Sequence, residues 1–311
     1  MNNKEKKMLI IRLVIFCVLA YLPIYVMTPV LNKVCGEFIF SESASGKTLV
    51  VAYAVGVFGM FAPAVAHLLT RLFTKEGFKD TYLSLNFKGN VRYYFASVAV
   101  KLLEAAIIMF LVWGIFMKEI SFNDAFPVGD WQLKTGTFLL QLAVSIILFM
   151  PAFGEEWGWR GYMMPKLMEL MPKPLAVITG GVIWGLWHAP LTVSGHNFGT
   201  EYKFYPWLGI LLMCVFCILL NAFLTLLTQR TKSIYPASFC HMVNNNLSAN
   251  TLLSIFASQT ALETISDLSN IDMFYVNLPV IGITGITATV SFMLLLKKQK
   301  SDLINYIKRD L

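Results

Sequence analysis

The sequence predicts an all-α, polytopic membrane bundle of about eight transmembrane helices with both termini in the cytoplasm. Three observations carry that prediction. Of 311 residues, 57% are hydrophobic and only 14% charged, with a mean hydropathy of +0.63, which is too apolar for a soluble domain of this size. Apolar runs of spanning length recur from one end of the chain to the other with no long polar block between them. Lys and Arg concentrate in alternate loops, the pattern of cytoplasmic connections. One integral membrane domain over residues 1–311 is therefore expected, with no linker or soluble domain.

Taken in order, the spans are expected at 9–30, 48–70, 94–116, 137–156, 175–194, 207–228, 234–257 and 277–296, each long enough to cross about 30 Å of hydrocarbon. The first follows Lys4, Lys6 and Lys7 and lacks a small-residue cleavage site, so it reads as a retained span, with Arg12 snorkelling from its start. His67, near the end of the second, is expected to pack rather than to ligate. The loop 71–93 mixes basic with bulky apolar residues and is expected to lie in the membrane interface. Lys101 and Glu104, three apart in the third span, are expected to neutralise each other on one helix face. The tail 297–311 reads as a short interfacial helix. The N-terminus, the loops 71–93, 157–174 and 229–233, and the tail hold eighteen Lys or Arg. The alternate loops hold Lys33, Lys47, Lys118, Lys134 and Lys203 alone, which sets the orientation.

Composition also narrows the function. The net charge of +7 is scattered among loops, with no basic stripe or aromatic interleaving on a polar face, so nucleic acid is not an expected partner. Of the five cysteines only Cys35 falls in an expected loop, and no disulfide framework is visible. Cys214 and Cys217 form a CxxC inside an apolar run, where packing explains them better than redox chemistry.

The unusual residues lie between 155 and 245. Met-Pro-Ala-Phe-Gly-Glu-Glu-Trp-Gly-Trp-Arg-Gly-Tyr-Met-Met-Pro, residues 150–165, places Glu155, Glu156 and Arg160 after an apolar run, and charge at membrane depth is costly enough to suggest function. On a helix Glu156 and Arg160 are four apart and about 40° round the axis, so they can pair. Glu155 lies about 100° further round, lacks that partner and is expected to face a cavity. Trp184 and His188 are also four apart, ahead of Pro190, and His241 and Asn245 share a face of the seventh span. Either histidine alone would read as a core residue; with the carboxylates and the amide they read as a site.

These three stations resemble the motifs of the CAAX protease and bacteriocin-processing family, also called the Abi or CPBP family of intramembrane glutamate endopeptidases, of the type II CAAX prenyl endopeptidase kind. Glu155-Glu156-x-x-x-Arg160, Trp184-x-x-x-His188 and His241-x-x-x-Asn245 occur in the family's order. Trp184 stands where the family usually has Phe, and the N-terminal spans match only as generic membrane helices. The resemblance implies a protease-like core over about 137–257. It further implies Glu155 as the base that activates water with the help of His188, His241 and Asn245 as oxyanion donors, and Glu156, Arg160 and Trp184 as support. The expected partners are the bilayer and a hydrophobic or lipid-associated peptide, hydrolysed near the cytoplasmic face, in what reads as a bacterial cell membrane. No cofactor is expected. A zinc site built from Glu155, His188 and His241 ranks behind the metal-free one, because there is no HExxH and the base would be consumed as a ligand. A non-proteolytic scaffold or bacteriocin self-immunity factor is the alternative, although a scaffold has no need of the intact polar set. A transporter would predict an internal repeat, and the polar residues all fall in one half.

Overall fold

The computed structural model describes residues 2–41, 44–269 and 273–307, and these residues form helices and connections without a strand. Helix α1, Asn3–Cys35, starts at a capping box in which Asn2 and Glu5 bond each other's backbone N–H, and it ends on Gly36 with φ +75°, a left-handed cap that costs glycine nothing. α2, Gly46–Gly59, and α3, Ala62–Phe73, together make the second span. α4, Val91–Phe116, is the third, and the one-turn α5, Phe122–Ala125, follows it. α6, Trp131–Ile147, then bends by 46° into α7, Met150–Gly158, at Pro151, as a residue without an N–H to donate allows.

A π-helical turn, Trp159–Met163, joins α7 to α8, Met164–Leu170. α9, Lys173–Trp187, stops before Pro190, and α10, Ala189–Val193, continues for little more than a turn. α11, Trp207–Thr231, is a long unbroken span. α12, Tyr235–Asn246, and α13, Ala249–Phe256, are short, then α14, Gln259–Ser269, precedes α15, Met273–Ile307.

Five of these elements are long and apolar enough to cross a membrane, or six if the bent α6–α8 pair is one span. The difference from the eight expected lies in 175–194 and 234–257, each of which is divided into shorter helices. The physical reason is local: the run to Pro190 and the Asn244-Asn245-Asn246 triplet interrupt the helices where protein surrounds the backbone, which hydrocarbon alone would not tolerate. The expected tail helix is instead a continuation of α15 as far as Ile307, with residues 308–311 outside the described residues. All five cysteines are free.

Large apolar side chains such as Val14, Val18, Leu22 and Val26 cover the exposed face of α1, while Phe16, Ala20 and Ile24 are buried. The same division, lipid-facing bulk outside and small or polar groups inside, governs the close helix pairs. α9 packs along α11 through glycines: a Cβ on Gly181 would come within 2.4 Å of Ile218 Cα and one on Gly185 within 2.5 Å of Cys214 Cα. Gly158 is equally tight against Pro63 of α3. Backbones in contact gain dispersion that bulky residues would prevent. Gly185→Ala is accordingly expected to cost about 1–3 kcal/mol by overpacking, read as a lowered unfolding midpoint in detergent. Gly282→Ala, whose Cβ would meet nothing within 4 Å, is the control expected to leave it unchanged.

The helix ends sort into two groups. At one end the segment 74–90 lies strapped across the bundle: Arg71 Nη1 donates to Gly77 O at 2.6 Å, Trp157 Nε1 to Thr81 O at 3.1 Å and Asn86 Nδ2 to Thr231 O at 3.1 Å. Glu76 anchors it, accepting from Lys166 Nζ at 2.6 Å and Tyr162 Oη at 2.8 Å. Burial alone would raise the Glu76 carboxyl, but those two donors and Arg71 hold it below the usual carboxylate range. His67 is a packing residue here, accepting from Arg71 Nε at 2.7 Å and donating from Nδ1 to Trp157 O at 3.0 Å. At the other end Phe40 N donates to Ser194 O at 3.1 Å, and Lys134 Nζ to Phe256 O at 3.2 Å.

Candidate functional site

α7 and the π turn bring two carboxylates to the middle of the bundle and give them different surroundings. Glu156 is fully buried and does not line the cavity; its Oε1 accepts from Arg160 Nη1 at 2.9 Å and from His241 Nδ1 at 2.8 Å. The pairing with Arg160 is the one the i, i+4 spacing suggests, whereas the bond to His241 crosses 85 positions of sequence. Arg160 sits in the π turn, a local widening often found at functional sites, and its guanidinium stacks 4.0 Å from the Trp184 ring. Cation and ring face each other away from water, where that attraction is strongest.

Glu155 instead lines a cavity of about 380 Å³. Its Oε2 accepts from Trp184 Nε1 at 2.7 Å and from Trp159 Nε1 at 3.3 Å. Neither indole uses Oε1. Trp184 is thus more than a spacer before His188: it donates to Glu155 and covers Arg160, so the exchange of Phe for Trp adds a hydrogen bond that Phe could not make.

The two histidines are held alike. His188 Nδ1 lies 2.9 Å from Trp184 O; a carbonyl only accepts, so Nδ1 carries the proton and Nε2 of the neutral ring is left to accept another. His241 Nδ1–H is bound to Glu156 in the same way, leaving its Nε2 for the cavity that both rings line. Trp187 stands edge-on to His188 with centroids 4.8 Å apart, and Trp184 edge-on to His241 at 5.3 Å. The rings are therefore fixed by packing as well as by hydrogen bonds. Asn245, one turn beyond His241, is exposed on the same cavity wall, and its Oδ1 accepts from Asn244 Nδ2 at 3.3 Å.

Glu155, Trp184, His188, His241 and Asn245 thus share one cavity, with Glu156 and Arg160 immediately behind it. Among the described residues no group of three or more His, Cys, Asp or Glu side chains is placed to hold a metal ion.

Three wall residues carry a signal the sequence offered only weakly. Lys101 and Glu104 pair at 2.5 Å as their spacing suggests, but both also line the cavity. His196 lies on the wall beside Phe40, ring centroids 4.9 Å apart; burial holds it at about 4, a neutral ring at physiological pH. The available signal was a histidine in a Ser-Gly-His-Asn turn directly after the second motif.

The lining residues lie between 40 and 60, between 101 and 155, between 184 and 220 and between 241 and 284, and none comes from 61–100, 156–183 or 221–240.

Residues 135–247, which contain Glu155, Glu156, Arg160, Trp184, His188, His241 and Asn245 but not Lys101 and Glu104, match the family model described as Rce1-like, type II CAAX prenyl endopeptidase. The chain is also similar to CAAX prenyl protease 2 of Methanococcus maripaludis, 25% identical over 264 residues that cover 79% of this chain and 88% of that protein. Apolar spanning helices, the motif order and both similarities agree: this chain is a multi-pass membrane peptidase, similar over residues 135–247 to the type II CAAX prenyl endopeptidases.

Proposed function

We propose that the protein is a glutamate-type endopeptidase that hydrolyses a hydrophobic peptide inside the bilayer with a water activated by Glu155 and His188. The observation that carries this reading is the unequal treatment of the two carboxylates: Glu156 is committed to Arg160 and His241, while Glu155 faces the cavity with one oxygen held by indoles. A base must be oriented and still have a lone pair to spare.

In this mechanism Glu155 takes one proton from the water as its oxygen attacks the scissile carbonyl, while His188 Nε2 accepts a hydrogen bond from the water's other O–H. As the C–N bond breaks, the proton held by Glu155 is passed through His188 Nε2 to the leaving amine nitrogen. The developing oxyanion is met by Asn245 Nδ2–H and by His241, whose Nε2 can donate when the ring holds both protons, a charge that Glu156 beside it compensates. The catalytic groups belong to a single membrane domain over 1–311 with its protease-like core over 137–257.

Trp184→Phe tests the reading at one hydrogen bond. It keeps an aromatic ring over Arg160 and removes the donor to Glu155, so kcat for a hydrophobic peptide is expected to fall roughly 10–100-fold, the value of about 1.5–3 kcal/mol for a bond to a charged group. KM should change little. An unchanged kcat would show that the Trp184 hydrogen bond is not what positions Glu155 for the chemistry. Absence of peptide cleavage by the wild type, with a cellular phenotype indifferent to Trp184, would favour a scaffold or immunity factor.

A further inference from the structure

We propose that Lys101 and Glu104 form a second polar subsite of the cavity, which holds the backbone of one residue of an extended peptide, its C=O on Lys101 Nζ and its N–H on Glu104 Oε1. That the bound peptide is a substrate rests on the endopeptidase reading; that the pair binds a peptide backbone does not.

Four residues of α4 line the cavity, Lys101, Glu104, Ala105 and Ile108. They lie three, four and seven positions from the first, the spacing of a single helix face. α4 packs against α12 and α15; α12 brings His241 and Asn245 to the same cavity, and α15 brings Val280 and Ile281. The pair thus shares a cavity with Glu155 and the two imidazoles, yet it stands outside residues 135–247, the stretch that matches the endopeptidase family model.

A pair that served only to neutralise itself would have its hydrogen bonds complete. Withdrawing two charges from water is costly, and their attraction offsets that cost only when the remaining lone pairs and protons are bonded as well. Here they are not. Lys101 and Glu104 are 5% and 4% exposed, and Nζ donates to Glu104 Oε2 at 2.5 Å. Oε1 of the same carboxylate is buried with no hydrogen-bond partner among the described residues. An ammonium carries three N–H groups, and the bond to Glu104 uses one of them. A free acceptor and spare donors are therefore presented side by side, next to the apolar side chains of Ala105 and Ile108.

The charges select the occupant. A carboxylate would be drawn to Lys101 and repelled by Glu104, and a cation the reverse, so the neutral pair disfavours both. Each residue of a peptide has one donor and one acceptor, and in an extended chain the N–H and C=O of one residue point to the same side, as when two strands exchange both bonds. That is the complement of Lys101 Nζ beside Glu104 Oε1.

The test is binding of a peptide whose polar groups are those of its backbone: a dansyl-labelled, C-terminally esterified peptide of Ala, Val, Leu and Phe, followed by fluorescence anisotropy on full-length Glu155→Gln in detergent, with and without the pair. Lys101→Met/Glu104→Leu removes both charges together and strands neither, an exchange that buried pairs tolerate. It is expected to weaken binding about 10–100-fold, the value of hydrogen bonds to charged groups. The peptide is then remade with one backbone N–H at a time replaced by an ester oxygen. With the pair intact, one position is expected to lose affinity about 10-fold, and in the double variant that loss is expected to vanish. A pair that only held α4 in place would weaken every peptide alike and leave the ester profile as it was. Equal binding with and without the pair, no binding with the pair intact, or an ester profile that does not depend on the pair would overturn the proposal. So would pair-dependent binding that appears only when a Gln is added to the peptide, since the occupant would then be a side-chain amide. If the double variant does not fold, Glu104→Gln takes its place: its amide oxygen can accept from Lys101 while its NH2 replaces the free acceptor with a donor, so the same ester is expected to lose its penalty. Cleavage is read separately, with Glu155 intact. A wild type that binds the peptide through the pair and cleaves nothing would sink the endopeptidase reading and leave the subsite standing, whereas cleavage with no dependence of binding on the pair would do the reverse.

Discussion

Glu155→Gln is expected to lower kcat by about 10³–10⁴, near the upper end of what a positioned general base contributes, with little change in KM or in the unfolding midpoint. The variant keeps the shape of the side chain and can still accept from Trp184 and Trp159 through its amide oxygen. What it loses is the ability to take a proton. Because Glu155 has no ion-pair partner among the described residues, while Glu156 is committed to Arg160 and His241, no second buried charge among them is uncovered by the substitution. The effect should therefore be almost wholly kinetic.

Glu156→Gln should behave in the opposite way, acting first on stability. Its carboxylate is the shared counter-charge of Arg160, which is 1% exposed, and of His241 when that ring is doubly protonated. Removing one partner of a buried pair leaves the other charge uncompensated, at a cost of about 3–5 kcal/mol. The Trp184 ring, 4.0 Å from the guanidinium, offsets only part of this. The double variant Glu156→Gln/Arg160→Met removes the stranded charge and should recover most of the unfolding midpoint in detergent. It should not recover kcat, because His241 would still lack a carboxylate to compensate its imidazolium. A single variant as stable as wild type would show that Glu156 does not neutralise Arg160.

How much of this could be read from the sequence follows from the range of each interaction. Glu156 and Arg160, Lys101 and Glu104, and Trp184 and His188 are neighbours one helical turn apart, and helix geometry alone brings such pairs together. The membrane character and the helical content followed from apolar runs in the same local way. The bond from His241 to Glu156, the Trp184 indole on Glu155 and the strap fastened by Glu76 join segments 85, 29 and up to 90 positions apart. These depend on how helices pack, which no spacing encodes. The division of the runs at 175–194 and 234–257 into shorter helices was not legible for a related reason: both are apolar enough, but the protein around them lets the helices break where the site needs polar backbone and side chains. The burial of Glu155 and Glu156 together with Trp159 and Arg160 likewise depends on the packing of distant helices and not on their position at the end of an apolar run.

The most direct measurement is peptide cleavage by the purified full-length protein in detergent, wild type against Glu155→Gln, each with a strong chelator and again after zinc is restored. Activity that persists in chelator and is lost in Glu155→Gln is the expected result, since Glu155 then acts as a base on water and not as a ligand. Wild-type activity abolished by chelator and returned by zinc, or Glu155→Gln cleaving at the wild-type rate, would contradict it.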